Sequence, residues 1–331
     1  MEVMNRSRRR GALWAVTTYF NPQRYRRRLI NYRAFRRHLG VPLLTVELNR
    51  HAQFELTAND ADVLLQLTGE DRIWQKERLL NIGFERLPAQ VDYVAWIDCD
   101  LIFDGDEWIE GTVDAIEQTT GAVQLFGRVD HLPRDLDPTS ATVAGCRAAT
   151  PIFSRFGVAK THRLGWHDYL EPGVDHWEQP GSGPENVRAT RGFAWAARRD
   201  VIARCGLYDA NVVGGGDSLI IMGAAGRGAD LYASGGVTAA HAAGIDAWVE
   251  HASAAGLLPD LGFVDTRAFH LWHGEIANRR YRERHALLVE HGFDPETDLE
   301  LADNGTWRWR DPASALADAV ATYFESRRED G

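Results

Sequence analysis

Three cysteines in 331 residues, Cys99, Cys146 and Cys205, are too few and too scattered for a disulfide framework or a cysteine-rich metal site. That scarcity fits a reducing compartment, and a cytoplasmic setting is expected. No apolar run approaches the ~20 residues that span a bilayer. The amino-terminal arginines are not followed by the apolar stretch of a signal peptide, and the short run Ala12–Thr18 leads straight into fold-like sequence. A surplus of positive charge is missing as well. The formal net charge is −10, which argues against a nucleic-acid backbone as the main partner, because phosphates are bound by clustered Lys and Arg. One basic patch runs against the trend: Arg6, Arg8, Arg9 and Arg10, then Arg24, Arg26, Arg27 and Arg28. It reads as a solvated tail and helix face, or as a weak contact with phosphates or headgroups at a membrane surface. Internal repeats and low-complexity tracts are lacking.

What is present is ordinary globular material, 44% hydrophobic and 25% charged, enough for one large domain or two small ones. Ala12–Tyr19 is apolar, rich in β-formers, and stops at the turn signal Asn21-Pro22. A helix is expected from Tyr25 to about Leu39 and a second strand over Val41–Leu48. A further helix is expected over Ile73–Leu87, where Ile73, Leu80, Phe84 and Leu87 share one face. Val91–Phe103 (VDYVAWIDCDLIF) reads as one strand buried on both faces. Alternating strands and helices with buried strands predict an α/β fold with a doubly wound, mostly parallel sheet. Such sheets bind ligands at the carboxyl ends of their strands.

Beyond Val123–Phe126 the texture changes. Residues 128–190 are rich in Pro, Gly, His and Trp and weakly periodic, which suits binding loops or a lid. Trp166, Trp177 and His167 lie there, and Trp195 follows shortly after; these aromatics suit either sugar stacking or loop anchoring. Regular structure is expected again at Gly192–Arg199, at Arg199–Cys205 and at Asp217–Ala225. Residues 264–292 hold a short strand-like piece and then a charged helix from Ile276, and Pro312 to about Ser326 reads as an amphipathic helix.

Three constellations carry chemistry. Asp98 and Asp100 flank one residue at the end of the most apolar strand, and in extended backbone positions i and i+2 face the same way. Paired carboxylates beside a core are costly unless a cation or proton neutralises them. A divalent ion sharing a diphosphate would do so; a turn or cap role is the plainer alternative. The other Asp-x-Asp triplets, Asp60/Asp62, Asp104/Asp106 and Asp135/Asp137, sit in polar surroundings and read as loop charges. His270 and His273, three apart, can share one face of a helical turn and hold a metal, or pack as an ordinary aromatic pair. Asp217 follows Gly214–Gly216 at an expected helix start. It can be an N-cap or, with glycines letting a ligand approach, a general base.

Together these pieces resemble the β-1,4-galactosyltransferase family and related bacterial family 2-like transferases. Trp74-Gln-Lys76-Glu-Arg78-Leu-Leu-Asn81-Ile-Gly-Phe84 followed by VAWIDCDLIF resembles that family's helix–strand unit, with its R-A-K-L-L-N-V-G-F helix and D-V-D strand end. Val213–Ser218 resembles its G-W-G-G-E-D-D segment, and His270/His273 its Met-x-x-His metal pair. Order and rough spacing agree over residues 12–275. The resemblance implies a single GT-A domain over 1–331. Within it, 12–125 would bind the nucleotide-sugar, 126–275 would carry catalysis and the acceptor, and 276–331 would form a helical extension. The implied activity is inverting transfer of a hexose from a UDP-sugar to a glycan or other hydroxyl acceptor, with Mn²⁺ or Mg²⁺. Asp98 would contact the ribose or the metal. Asp100 and His273 would ligate the metal, with His270 in the methionine's place. Lys76 and Trp74 would contact the nucleotide and Arg78 would add positive potential. Thr17, Thr18 and Tyr19 would line the uridine pocket, and Asp217 would be the base. Trp166 and Trp195 remain the acceptor-stacking candidates. The family's acid before the base is Gly216 here, and Ser218 and Leu219 replace acidic residues after it, which leaves the acceptor class open. The family's secretory membrane anchor is also missing. Two other readings compete: a sugar nucleotidyltransferase, which would carry a Gly-rich basic signature that Ala15-Val-Thr-Thr-Tyr-Phe-Asn-Pro22 lacks, and an inactive carbohydrate-binding protein on the same fold.

Overall fold

The computed structural model describes residues 12–69, 71–165, 189–226, 236–275, 278 and 283–331. The expected α/β architecture is present, a Rossmann-like, doubly wound sheet. Strands β1 (Leu13–Phe20), β2 (Leu43–Asn49), β3 (Val63–Thr68) and β4 (Tyr93–Ile97) are successive parallel neighbours in a seven-stranded sheet. Its order is β11-β6-β10-β4-β1-β2-β3, with β6 (Val123–Gln124), β10 (Ala194–Arg198) and β11 (Gly262–Phe263) completing it. Only β10 runs against its neighbours β4 and β6. A reversed strand at that place begins at the same edge where β4 ends, and Ala194 pairs with Ile97.

The period-two alternation of the strands sorts side chains into two cores. Val16, Leu44, Val94, Trp96 and Trp195 face one. They pack against helix α2 (Lys76–Glu85) through Leu79, Leu80, Ile82 and Phe84. Leu13, Ala15, Leu43, Ala95, Ile97 and Ala196 face the other. They meet α1 (Arg26–His38) through Tyr32 and Phe35, and α3 (Glu107–Gln118) through Trp108, Ile109 and Val113. Strands covered on both sides need no polar face, which is why they read as continuous apolar runs.

Three expectations change. Val91–Phe103 is not one strand. It ends as β4 at Ile97, turns through Cys99 and Asp100, and restarts as β5 (Leu101–Phe103) in a second sheet. That sheet has the order β5-β12-β7-β8-β9, built with β7 (Arg128–His131), β8 (Phe153–Gly157), β9 (Ala189–Thr190) and β12 (Arg267–His270). Asp98 and Asp100 are therefore not a same-face pair on extended backbone. Nor do His270 and His273 share a helical turn: His270 closes β12, and irregular backbone carries His273.

Several further helices complete the wrapping: α4 (Val143–Ala148), α5 (Val158–Arg163), α6 (Arg199–Cys205), α7 (Asp217–Ala224) and α8 (Ala239–Ala255). The alanine-rich α8 has too flat an apolar pattern to announce itself in sequence. It is capped by Thr238, whose side chain accepts from His241 N, and ends at left-handed Gly256. Of the charged helix expected from Ile276, the described part is α9 (Glu283–Glu290). Then follow α10 (Pro295–Asp298), a hairpin of β13 (Leu299–Leu301) and β14 (Trp307–Trp309), and α11 (Ala315–Glu325).

Among the described residues no helix is long and apolar enough to cross a membrane. Arg6, Arg8, Arg9 and Arg10 lie outside the described residues. Arg27 and Arg28, in the second half of the basic patch, are drawn into the fold. Arg27 donates to Arg134 O at 2.8 Å and sits over Trp272, and Arg28 donates to Phe20 O at 2.9 Å. Those two guanidiniums serve packing rather than a surface. The three cysteines are free thiols. The other Asp-x-Asp acids are loop charges as expected: Asp60 accepts from Thr57 N, Asp62 pairs with Arg36, Asp104 with Arg147, and Asp137 accepts from Thr139 N.

Candidate active site

The site forms where β4 and β10 meet edge to edge and the chain crosses from one sheet to the other. Asp98 N donates to Phe193 O at 2.7 Å, which ties it to the large sheet. Two residues later Asp100 O accepts from Leu271 N at 2.9 Å, which ties it to β12 of the small sheet. His270 pairs with Leu101 in that antiparallel register. The register sets the carboxylate of Asp100 beside the two imidazoles.

Asp100, His270 and His273 are a candidate metal-binding group, their ligand atoms all within 4.8 Å of one another. His273 Nε2 lies 3.0 Å and His270 Nε2 3.7 Å from Asp100 Oδ2, and the two Nε2 atoms are 3.2 Å apart. One hard oxygen and two imidazole nitrogens converging in a largely buried corner suit a divalent transition ion better than Mg²⁺, which favours oxygen and water. Asp98 is not in this group. The ring of His270 is wedged against Phe193 and His131, with centroids 4.7 and 4.6 Å away. Packing on two sides holds its nitrogen in place.

On the large-sheet side a second cluster forms around Lys76, the first residue of α2. Lys76 Nζ is 2.6 Å from Asp98 Oδ1 and 3.1 Å from Asp217 Oδ2. Lysine occurs only at 76 and 160 in a chain otherwise supplied with arginine. At position 76 the compact ammonium fits between two carboxylates, where a planar guanidinium would need more room. Burial works against its charge, but Asp217 and Asp98 outweigh that and hold its pKa well above the usual lysine value. Burial also pushes the carboxyl of Asp98 up, with Asp217 and Asp100 adding repulsion and Lys76 opposing it. Acids outnumber bases here, so the site attracts further positive charge.

Asp217 opens α7 but is not its N-cap; Gly216 holds that place and no side chain caps the helix. Its carboxylate instead faces Lys76 and the Gly192–Phe193 corner, where a Cβ on Gly192 would come 3.0 Å from Asp217 Oδ2. Gly216 lies tight against a neighbouring side chain. A Cβ there would stand 2.2 Å from Glu77 Oε1. Glu77 is 4% exposed, and its Oε2 is buried without a hydrogen-bond partner. Burial drives its pKa up. Sequence reading passes over Glu77 because an acid in a first helical turn is ordinary.

Phe193 is also missed. It sits at φ 82°, a left-handed conformation costly for an aromatic residue. The strain aims its carbonyl at Asp98 N and its ring at His270, and a phenylalanine after a glycine carries no signal of that.

The remaining expected residues divide clearly. Trp195 is 0% exposed, and its indole N–H donates to Arg191 O at 2.9 Å. It is core, with no face open to a sugar. Thr17 is buried and donates to Ile97 O at 2.6 Å; Tyr19 is buried with its hydroxyl donating to Glu55. Of that trio only Thr18 keeps part of its side chain exposed. Arg78 is tied to Gly305 O and Asp209 at 2.5 and 3.2 Å, which fixes the β13–β14 hairpin rather than lending charge to the site. Trp74 stacks on Phe324, centroids 6.3 Å apart, with Arg327 over its ring, so α11 backs this part of the site. Trp166, Trp177 and His167 lie outside the described residues.

No known protein family and no curated protein matches the chain. Among solved structures it is similar to the catalytic domain of Drosophila β1,4-galactosyltransferase 7 in complex with xylobiose. That match has 14% identity, covers 76% of this chain and 64% of that chain, and has a TM-score of 0.32. It is also similar to glucosyl-3-phosphoglycerate synthase from Mycobacterium tuberculosis in complex with phosphoglyceric acid, at 13% identity, 92% and 88% coverage and a TM-score of 0.40. A third is 4-diphosphocytidyl-2C-methyl-D-erythritol synthase from Anaerococcus prevotii, at 12% identity, 59% and 74% coverage and a TM-score of 0.30. The chain thus spans less than two thirds of the Drosophila protein's length. These likenesses are distant, and the functional reading rests on the site's own residues.

Proposed function

We propose that the chain is a metal-dependent glycosyltransferase that moves a hexose from a UDP-sugar to a hydroxyl acceptor with inversion. One observation carries this reading: a cation-binding trio, Asp100, His270 and His273, and an acid–lysine–acid cluster, Asp98, Lys76 and Asp217, converge on the same strand end. In this reading residues 12–125 bind the donor and 126–275 supply the base and the acceptor side. Residues 276–331 back the donor site, as Phe324 and Arg327 do behind Trp74.

Asp100, His270 and His273 would hold the divalent ion, which would supply charge neutralisation for a diphosphate leaving group. Mn²⁺ fits the nitrogen-rich donor set better than Mg²⁺. Lys76 exchanges one carboxylate partner for a phosphate oxygen when the donor arrives, keeping its charge in play. Asp217 accepts the proton of the acceptor hydroxyl while that oxygen bonds to the anomeric carbon. The bond from that carbon to the diphosphate oxygen breaks, its electron pair leaving with the nucleotide. A single base acting opposite the leaving group gives inversion.

Thermal-shift measurements with UDP, GDP and their sugars, with and without Mn²⁺, test the donor assignment. A rise in Tm is expected for UDP only when Mn²⁺ is present, together with Mn²⁺-dependent UDP release from a UDP-hexose. Release of pyrophosphate from UTP and a sugar phosphate would instead establish the nucleotidyltransferase reading. No shift with any nucleotide would remove both.

Gly216→Ala tests the mounting of the base. The added methyl would overlap Glu77 Oε1, so the buried Glu77 side chain or the start of α7 must shift. A displacement of about 1 Å costs on the order of 10²-fold in turnover. That loss is expected with UDP affinity little changed, measured by steady-state kinetics beside a binding titration.

A further inference from the structure

Residues 327–330 reach the far side of the metal corner, a contact that neither the sequence pattern nor the chemistry above uses. The segment is held by several bonds to α1 and its lead-in. Arg328 N donates to the Tyr25 hydroxyl at 3.0 Å. Asp330 accepts from Arg26 N and Arg27 N at 3.1 and 2.8 Å, closing the start of α1. Gly274, at φ 95°, leaves room for the segment: a Cβ there would stand 3.0 Å from Arg328 O and from Glu329 Cα.

Clamped this way, Glu329 is delivered into a buried position. Arg28 grips it with both prongs, Nε to Oε2 at 2.8 Å and Nη2 to Oε1 at 2.7 Å, and Arg327 adds a contact at 3.0 Å. Its Oε2 lies 4.0 Å from His273 Nδ1. That is outside hydrogen-bond range, but it leaves the carboxylate as a close neighbour of that nitrogen. The other nitrogen of the same ring, Nε2, faces Asp100 and His270. Metal-bound histidines commonly direct their second nitrogen to a carboxylate, which fixes ring orientation and tautomer and strengthens the ligand.

We propose that Glu329 is a positioning residue for His273: held by Arg28 and Arg327, it orients the ring so that Nε2 is offered to a divalent cation. The proposal rests on the metal reading above. It makes cation affinity depend on residues far along the chain from every ligand.

The test is Mn²⁺ binding to the protein without nucleotide, by titration, on the parent chain, His273→Ala, Glu329→Gln and the double variant R28M/E329M. The Gln variant keeps an acceptor and loses charge, and about tenfold weaker binding is expected. The double variant removes the carboxylate and its principal partner together, since apolar replacement of a buried pair is often tolerated. It is expected to bind up to about 100-fold more weakly. A merely structural role would lower the metal-free Tm and leave the Mn²⁺ affinity of the folded protein unchanged. It would also leave the His273 tautomer unchanged in nitrogen NMR, whereas the proposal requires Nδ1–H to dominate in the parent and a mixture in R28M/E329M. If the parent binds Mn²⁺, His273→Ala does not, and both Glu329 variants match the parent within about twofold, the proposal is overturned and the metal site stands. If the parent itself binds no Mn²⁺, the metal reading fails and the proposal with it.

Discussion

Asp217→Asn is expected to lower turnover by about two to four orders of magnitude while donor affinity changes by only a few fold. The magnitude is that of a missing general base. The separation follows from the contacts. Lys76 is shared between Asp98 at 2.6 Å and Asp217 at 3.1 Å. Removing the charge at 217 leaves the shorter contact intact, so the ammonium stays buried with a partner and avoids the roughly 3–5 kcal/mol cost of an orphaned buried charge. Asparagine has nearly the same shape and leaves α7 seated against Gly192. Single-turnover rates with UDP affinity measured in parallel separate the two effects. Normal transfer by the Asn variant would remove the assignment of the base. A loss of donor binding equal to the loss of turnover would show instead that Asp217 holds substrate.

Asp100→Ala is expected to act in the opposite order, abolishing Mn²⁺ binding first and donor binding as a consequence. Asp100 is the only oxygen ligand in the trio. The imidazoles that remain would still converge on one another at 3.2 Å. Altering groups behind a metal ligand already costs about 10- to 100-fold in affinity, so removing a ligand is expected to exceed that range. The measurement is Mn²⁺ titration with and without UDP. The free protein should lose saturable binding, and UDP should no longer raise Tm in the presence of Mn²⁺. Asp98→Ala is the contrast, since Asp98 faces Lys76 and lies outside the trio. Its loss should weaken donor binding while free Mn²⁺ affinity persists. Retained Mn²⁺ binding in Asp100→Ala would show that the ion sits elsewhere.

The large sheet and the general place of the site were legible from sequence for one reason. Strands buried on both faces must be continuously apolar, so Val91–Ile97 and the acids after it stand out. The glycine run before Asp217 read as room for a ligand, whereas Gly214 and Gly215 take positive φ and Gly216 abuts the Glu77 side chain. The turn through Cys99 and Asp100 was not, because Leu101–Phe103 is as apolar as the strand before it. Apolar periodicity reports burial without reporting which sheet does the burying. His270 and His273 do come together beside Asp100, but from the end of β12 and the irregular backbone after it rather than from a helical turn. Trp195 carried the composition of a sugar platform but sits on β10, whose two faces are both covered, so either parity would have buried it. Glu329 offered no signal, since its role depends on where a segment lands after more than fifty intervening residues beyond His273.

The crossing at Cys99 has a mechanical consequence. Lys76, Asp98 and Asp217 are mounted on or against the large sheet, whereas Asp100 and His270 belong to the small one. A substrate whose phosphates touch the cation while its sugar faces Asp217 would bolt the two layers together. Any slip between them would alter the line from nucleophile to leaving group before it altered either half alone. Substitutions in the buried Phe103–Trp108 stack behind β5, with ring centroids 4.3 Å apart, would then be felt as misalignment of two otherwise sound half-sites.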